Sequence, residues 1–309
     1  MMQIIKPGTK IDFIGKTKIF YTISLIAIAV SLVLIFTKGF NLGIDFAGGT
    51  VMHVRFSEPV PLEDIRAGLR DGIKGEFTLQ SYDTETDVLI RVVEMEGVDL
   101  KDLSDGVLMQ LNKSFAQYSP SIEKQEQVGP QVGDELRKKA FYAMLFASIG
   151  ILLYVAFRFE WLFGLGTIIG IVHDLIIIMG IYCISGKEFN LTVMAALLTA
   201  VGYSLNDTIV IYDRIREKIK TGMLSTLSWK ELINKSVNET LSRTILTSLL
   251  TFMAVFSLFL FGGEVLNGFA LVMMGGIIVG TYSSVALSST FIWLVGTSQE
   301  KKAAKPVKA

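Results

Sequence analysis

Cysteine is nearly absent. The single one, Cys183, lies inside an apolar run, so neither a disulfide framework nor a cysteine-based metal site can be built within one chain. Charge is scarce too: 19% of residues are charged, against roughly a quarter in average soluble chains. The deficit is uneven. Residues 141–157 carry no charge, and 19–36, 164–186, 191–206 and 244–263 carry at most one His–Asp pair. Runs of about 20 mostly apolar residues match a bilayer core of about 30 Å, so a wholly soluble protein is excluded. Net charge is +0, and nothing in that total points to nucleic acid. The sequence has no Walker-type nucleotide loop, Rossmann glycine fingerprint, HExxH or GxSxG. No enzymatic activity, metal or cofactor is expected, and an energy-coupled role would need protons or another ion.

What is present is a membrane pattern. Of 309 residues, 51% are apolar. We read six membrane helices near 19–36, 140–157, 164–184, 191–212, 244–262 and 268–296. The last is too long for one straight span, so its ends should leave the bilayer core or the helix should tilt. The first has basic residues before it but no small-x-small cleavage site after it, and reads as an uncleaved anchor. Lys and Arg are biased to one side. Four precede the first span, Arg158 sits in the second connection, seven lie across 213–243 and four in 297–309, whereas the short connections on the other face hold only Lys187. This predicts cytoplasmic termini, with 1–18 and 297–309 as tails and 37–139 outside. The basic connection 213–243 is cytoplasmic on this reading. Its stretch 229–241 has an apolar face (Trp229, Leu232, Ile233, Val237, Leu241) suited to headgroups or to a cytoplasmic partner.

Segment 37–139 reads as a small α+β domain. Thr50, Met52, Val54 and Phe56 alternate as on a strand. A helix over 61–70, strands over 76–82 and 87–95, a helix over 99–118 and a strand over 121–128 complete a β-α-β-β-α-β order, which predicts a ferredoxin-like arrangement. His53 falls on the polar face of its strand, most simply as surface.

Ionisable groups in lipid are costly and need a reason. His173 and Asp174 lie in the middle of the third span, Asn206 and Asp207 in the fourth, and Arg243 opens the fifth. A carboxylate intermittently apposed to an arginine in low dielectric is a possible proton-coupled switch. The same pair also serves as a static ion pair locking two helices, and Arg243 lies near enough to the interface to snorkel. Both readings stay open, as they do for His173 and Asp174. Gly166-x-x-x-Gly170 and Gly276-x-x-x-Gly280 suit close helix packing.

Five segments are more specific. Gly43-Ile44-Asp45-Phe46-Ala47-Gly48-Gly49 follows the first span, and Val128-Gly129-Pro130-Gln131-Val132-Gly133-Asp134-Glu135-Leu136 precedes the second. Arg158-Phe159-Glu160-Trp161 joins the second and third. Gly202 to Glu217, containing Asn206-Asp207-Thr208, ends the fourth, and Asn238-Glu239-Thr240-Leu241-Ser242-Arg243-Thr244 starts the fifth. In this order, from about residue 10 to 295, they resemble the SecF family, the smaller membrane subunits of bacterial SecDF protein-export complexes within the RND transporter superfamily.

The resemblance implies one half of an RND-type assembly in the bacterial inner membrane. It implies SecD and the SecYEG channel as partners, other Sec accessory membrane proteins beside them, and a translocating unfolded polypeptide and lipid as surroundings. It implies use of the proton-motive force late in export, Asp207 of the Asn206-Asp207 motif as the proton-carrying residue and Arg243 as its membrane partner; Asp174, by its place in the third span, is a further candidate for the relay. Asp45, Gly48, Gly49, Gly129, Pro130 and Gly133 then mark where the outer domain joins the first two spans, as tight turns or as hinges. The competing readings are a subunit of a proton-driven RND-type small-molecule or lipid exporter, and a purely structural assembly subunit.

Overall fold

The computed structural model describes residues 9–70, 77–82, 84–92, 100–158 and 161–303. Phe159 and Glu160 of the second connection, the turn residue Asp83, the expected strand end at 93–95 and the outermost parts of both tails lie outside the described residues. The chain divides into two compact units. One comprises Leu42–Ala143 with Glu188–Leu191, and the rest of the chain forms the other.

In chain order the elements are α1 (Thr17–Lys38), β1 (Asn41–Leu42), α2 (Ile44–Ala47), β2 (Gly49–Arg55), α3 (Leu62–Arg70), β3 (Phe77–Tyr82), β4 (Asp87–Val92), α4 (Leu100–Phe115) and β5 (Ser121–Val128). Then come α5 (Pro130–Arg158), α6 (Trp161–Ser185), β6 (Glu188–Phe189), α7 (Leu191–Lys220), α8 (Trp229–Phe261), α9 (Gly263–Ser283), a π-helical turn (Ser284–Ser288) and α10 (Ser289–Ala303).

The first unit is built on a four-stranded antiparallel sheet in the order β3-β4-β2-β5. Alternation decides its faces. Thr50, Met52 and Val54 of β2 stand opposite Val92, Ile90 and Val88 of β4, all 0–2% exposed. Ile65 and Leu69 of α3 and Val107 and Leu111 of α4 close over them. Each fully buried aliphatic side chain is worth about 1.5–3 kcal/mol, so this cluster makes the unit's core. Pro61 opens α3, its carbonyl accepting from the Asp64 and Ile65 amides, with Glu63 and Asp64 in the first turn.

The second unit is helical. Among the described residues, six helical stretches are long and apolar enough to cross a membrane: Ile14–Lys38, Gln131–Val155, Trp161–Ser185, Leu191–Lys220, Trp229–Phe261 and Leu266–Ser298. α1 turns Ile19, Ile23, Leu25, Ile26, Val33 and Phe36 outward, an apolar surface suited to lipid. Gly276 and Gly280 set the spacing of α9 and α7. A Cβ on them would lie 2.5 Å from the Ala200 Cβ and 2.6 Å from the Ser204 Cβ, so only glycine permits this approach.

One expectation changes. The stretch 229–241 does not lie on a membrane surface as a separate helix. It is the first third of α8, opened by a capping box in which Ser228 Oγ accepts from the Glu231 amide and the Glu231 carboxylate accepts from the Ser228 amide. Its apolar face, Leu232, Ile233, Val237 and Leu241, is covered by Phe13, Ile14, Ile211, Tyr212 and Ile215 of the same chain. Asn234 and Asn238 bind the backbone of Ile11, Phe13 and Ile14 at 2.9–3.1 Å. The last membrane-length stretch contains a π-helical turn at Ser284–Ser288, a local rewinding that re-aims side chains.

Candidate functional site

Asp207 sits on the buried stripe of α7 with Ser204, Thr208 and Ile211 and is 3% exposed. Its Oδ2 accepts from Ser248 Oγ of α8 at 3.2 Å, and that hydroxyl shares a further bond with Thr281 Oγ1 of α9 at 2.8 Å. Arg243 lies on α8 with an exposed side chain. Its charge acts on Asp207, but among the described residues no ion pair joins the two, and the carboxylate rests on a hydroxyl. Asn206 is exposed on the opposite flank of α7, lining a groove of about 540 Å³ with Gly202 and Ile209 and with Ala147, Ile151 and Tyr154 of α5.

Asp174 is 1% exposed and fully bonded. Oδ2 accepts from Ser204 Oγ at 2.5 Å and from Ser283 Oγ at 2.8 Å, while Oδ1 faces His173 Nδ1 at 2.8 Å. His173 Nε2 contacts Ser24 Oγ of α1 at 3.2 Å, and Ser24 contacts the Tyr282 hydroxyl at 3.1 Å. Thr208 Oγ1 and Ser284 Oγ, 2.7 Å apart, lie between the two carboxylate neighbourhoods, and Ser284 also donates to the Ser204 carbonyl. Sequence reasoning found both carboxylates. It missed Ser24, Tyr282, Ser283 and Ser284. The signal available was the hydroxyl-rich run from Thr281 to Thr290 within an apolar helix, since buried polar groups at membrane depth need partners.

The glycine motifs meet in the sheet unit. Gly48 and Gly49 have φ of 71° and 117°, values that favour glycine. The Gly48 amide closes α2 on the Ile44 carbonyl, and Gly49 pairs with Val128 across β2 and β5. Gly133 faces this turn so closely that a Cβ would stand 3.2 Å from the Gly48 nitrogen. The Gly133 amide bonds the Gly129 carbonyl, and Pro130 occupies the first position of α5, where its missing N–H costs nothing. Asp45 caps a distant helix, its Oδ2 accepting from the amide of Leu191, the first residue of α7, at 2.9 Å. Around it the Gly43 amide bonds the Phe189 carbonyl at 2.9 Å and the rings of Phe46 and Phe189 pack at 6.0 Å. Arg91 bonds the Leu42 carbonyl at 3.1 Å and pairs with Glu188. Burial draws the Arg91 guanidinium below its usual range, and the Asp45 charge offsets part of that.

On the outer face of the sheet, Asp87 is 2% exposed and accepts from His53 at 3.0 Å, Arg55 at 2.9 Å and Thr84 at 2.5 Å. Burial pushes this carboxyl up, but the three donors outweigh it and hold it below the usual carboxylate range. His53, expected as plain surface, is thus a structural partner of Asp87. Among the described residues no group of His, Cys, Asp and Glu is placed to hold a metal ion.

The helical unit therefore contains two carboxylates on hydroxyl partners, and the sheet unit contains a glycine-built junction whose Asp45 accepts from the Leu191 amide. Residues 107–298 match the model of the SecD/SecF protein export membrane protein C-terminal region, and 33–60 match the SecD/SecF GG motif. The protein translocase subunit SecF of Calditerrivibrio nitroreducens is 48% identical over 300 residues, covering 97% of this chain and 99% of that one. The SecF of Magnetococcus marinus is 45% identical, covering 98% and 97%. Among solved structures, SecDF of Thermus thermophilus, described as a translocon-associated membrane protein, superposes with a TM-score of 0.83 at 37% identity. The similarity covers 97% of this chain but spans only 40% of the solved SecDF chain.

Proposed function

The chain belongs to the SecF family of protein-export membrane subunits, and on that premise we propose that, with SecD, it uses the proton-motive force to promote late translocation of secreted proteins through the SecYEG channel. It does so without a covalent chemical step. Asp207 carries the proton, and Arg243 stabilises its charged state when the helices bring the two together. The sheet unit is an extracytoplasmic ferredoxin-like domain that meets the translocating polypeptide, and both termini face the cytoplasm of a bacterial inner membrane. The Lys/Arg asymmetry supports this orientation, and the β-α-β-β-α-β order with its strand order supports the domain type.

One observation carries the mechanism: Asp207 is buried at membrane depth on hydroxyl partners rather than in an ion pair. A hydroxyl donates to a carboxylate and accepts from a carboxylic acid equally well. Ser248 and Thr281 thus satisfy Asp207 in either protonation state, whereas a closed ion pair would tie it to one. The test is export of a secreted precursor into membrane vesicles with and without an imposed proton gradient. Asp207→Asn should leave assembly with SecD intact and abolish the gradient-dependent increment while ATP-driven initiation persists. Retention of the full increment would move the relay elsewhere, with Asp174 next; loss of assembly would favour a structural role.

A further inference from the structure

We propose that the start of α8 is a clasp that stays closed while the protein works: Asn234 and Asn238 hold the segment before α1, Glu239 holds α7, and the clasp positions Arg243 as the fixed member of its pair with Asp207. The inference rests on the relay proposed above and names the residues that aim it.

The segment Ile11–Gly15 lies on α8 as a strap. Backbone groups fix the sense of its bonds, because an amide N–H only donates and a carbonyl only accepts. Asn238 Oδ1 accepts from the Ile11 amide at 2.9 Å, and Asn238 Nδ2 donates to the Ile11 carbonyl at 2.9 Å. One side-chain amide thus takes both backbone groups of one residue, as a paired strand would. One turn earlier, Asn234 Oδ1 accepts from the consecutive amides of Phe13 and Ile14 at 2.9 and 3.1 Å, and its Nδ2 donates to Asp12 Oδ1 at 2.8 Å. Lys230 ends the row on Asp12 Oδ2 at 2.7 Å. Lys230, Asn234 and Asn238 follow one another at the four-residue spacing that shares a helix face. The side chains of Phe13 and Ile14, 9% and 3% exposed, join the apolar cluster that α7 and α8 share.

Glu239 makes the second tie. Its Oε1 accepts from Lys218 Nζ of α7 at 2.8 Å, and its Oε2 accepts from Arg214 of the same helix. The Lys218 side chain is 4% exposed. Breaking such a pair leaves a buried charge uncompensated and is strongly destabilising, so this tie resists opening. The root of α1, the end of α7 and the start of α8 are therefore bonded into one base.

Distance from that base divides the roles. Arg243 lies four residues beyond Glu239, about 6 Å along the axis, whereas Asp207 lies eleven residues from Lys218, about 16 Å. A tilt about the clasp displaces each residue in proportion to its distance, so Asp207 travels about two to three times as far as Arg243. Asn238 and Glu239 open the sequence segment that runs to Arg243 and Thr244, and the clasp gives them a task that the relay itself leaves unassigned.

Cys183 is the chain's one cysteine, so Cys183→Ser gives a background in which Ile11→Cys and Lys235→Cys are joined by a bis-maleimide. Ile11 is 37% exposed and held through its backbone, and Lys235 is exposed one turn before Asn238, so neither change removes a bond of the clasp. The full chain is assembled with SecD in membrane vesicles, and export of a secreted precursor is read with and without an imposed proton gradient. The joined protein should keep its gradient-dependent increment. Asn234→Leu combined with Asn238→Leu should lose most of it while ATP-driven initiation persists, and should regain it when the same chain carries the joined cysteines. Hydrogen exchange of the Phe13 and Ile14 amides should quicken at least about fivefold in the leucine variant, the scale of one hydrogen bond. Loss of the increment on joining the parent would show that the clasp must open and would overturn the proposal. So would a full increment in the leucine variant, or loss that joining does not restore. Failure of the leucine variant to assemble with SecD, joined or not, would make the clasp a folding element instead. Asp207→Asn is read in the unjoined chain and should leave the Phe13 and Ile14 exchange at the parent's rate, so the relay and the clasp fail separately.

Discussion

Asp45 offers a direct test of how the glycine-rich junction is tied to α7. Replacing it with alanine removes the acceptor of the Leu191 amide, one of the four amides that a helix start leaves without an internal partner. Losing such a cap costs about 1 kcal/mol, within a range of about 0.5–2. The lost attraction between the carboxylate and the helix N-terminus adds about 0.3–1 kcal/mol. The sum, about 0.8–3 kcal/mol, corresponds to roughly four- to 150-fold in a local opening equilibrium. Asp45→Asn keeps an oxygen acceptor and loses only the charge, so its effect should be about two- to fivefold. The assay is amide hydrogen exchange of the full chain in lipid nanodiscs, followed over 186–195. The opening should be local, because the Gly43–Phe189 bond and the Phe46–Phe189 contact remain. Asp134→Ala is the control, since its pair with Arg137 is 59% exposed on both sides and worth little. Unchanged exchange at 186–195 in Asp45→Ala would refute the reasoning, as would equal effects of the alanine and asparagine variants.

Gly48→Ala should destabilise the sheet unit by about 1–2 kcal/mol, because a side chain at a φ of 71° meets the left-handed steric penalty; a thermal unfolding midpoint equal to the parent's would contradict this. Asp87 should make the same unit acid-sensitive. Its carboxyl is held below the ordinary range, so its contribution is complete above the unfolded value of about 3.9 and is lost as pH falls through the lower folded value. Asp87→Asn should flatten that part of the stability profile below about pH 4 when denaturation is followed by circular dichroism.

Much of this was legible because the patterns are periodic. The charge-free runs located the six helical stretches that, among the described residues, are long and apolar enough to cross a membrane, and the alternation Thr50, Met52, Val54 found the inner face of β2 to the residue. The helix over 229–241 was legible as amphipathic, but a stripe does not say what covers it. Here it is covered by Ile14, Ile211 and Ile215, distant in sequence. The candidate site was legible only in its ionisable members. Asp174 and Asp207 stand out because a carboxylate in an apolar span is rare. Serine does not stand out, since a helical hydroxyl commonly bonds its own backbone four residues back, as Ser236 and Thr251 do here. Only the fold distinguishes those from Ser24, Ser204, Ser248 and Ser283, whose partners lie on other helices. For Asp45 no local pattern exists at all, because its partner is 146 residues away.

Leu191, capped by Asp45, and Asp207 lie on α7, sixteen residues apart, or about 24 Å at 1.5 Å per residue. The described helix is unbroken between them. A continuous helix passes an axial shift from one end to the other with little loss, whereas a flexible link would absorb it. Proton binding at Asp207 does mechanical work only if the protonated and charged forms favour different helix positions. The hydroxyl partners supply half of that condition, since they tolerate both forms without choosing. In the role proposed above that choice falls to Arg243, whose charge already acts on Asp207 but whose exposed side chain makes no ion pair with it among the described residues. Arg243→Lys separates the roles: an ammonium carries the charge but not the guanidinium fork. If the approach of Arg243 and Asp207 ends in a two-point contact, the lysine variant should lose most of the gradient-dependent export while keeping assembly. If the charge alone matters, it should keep most of it.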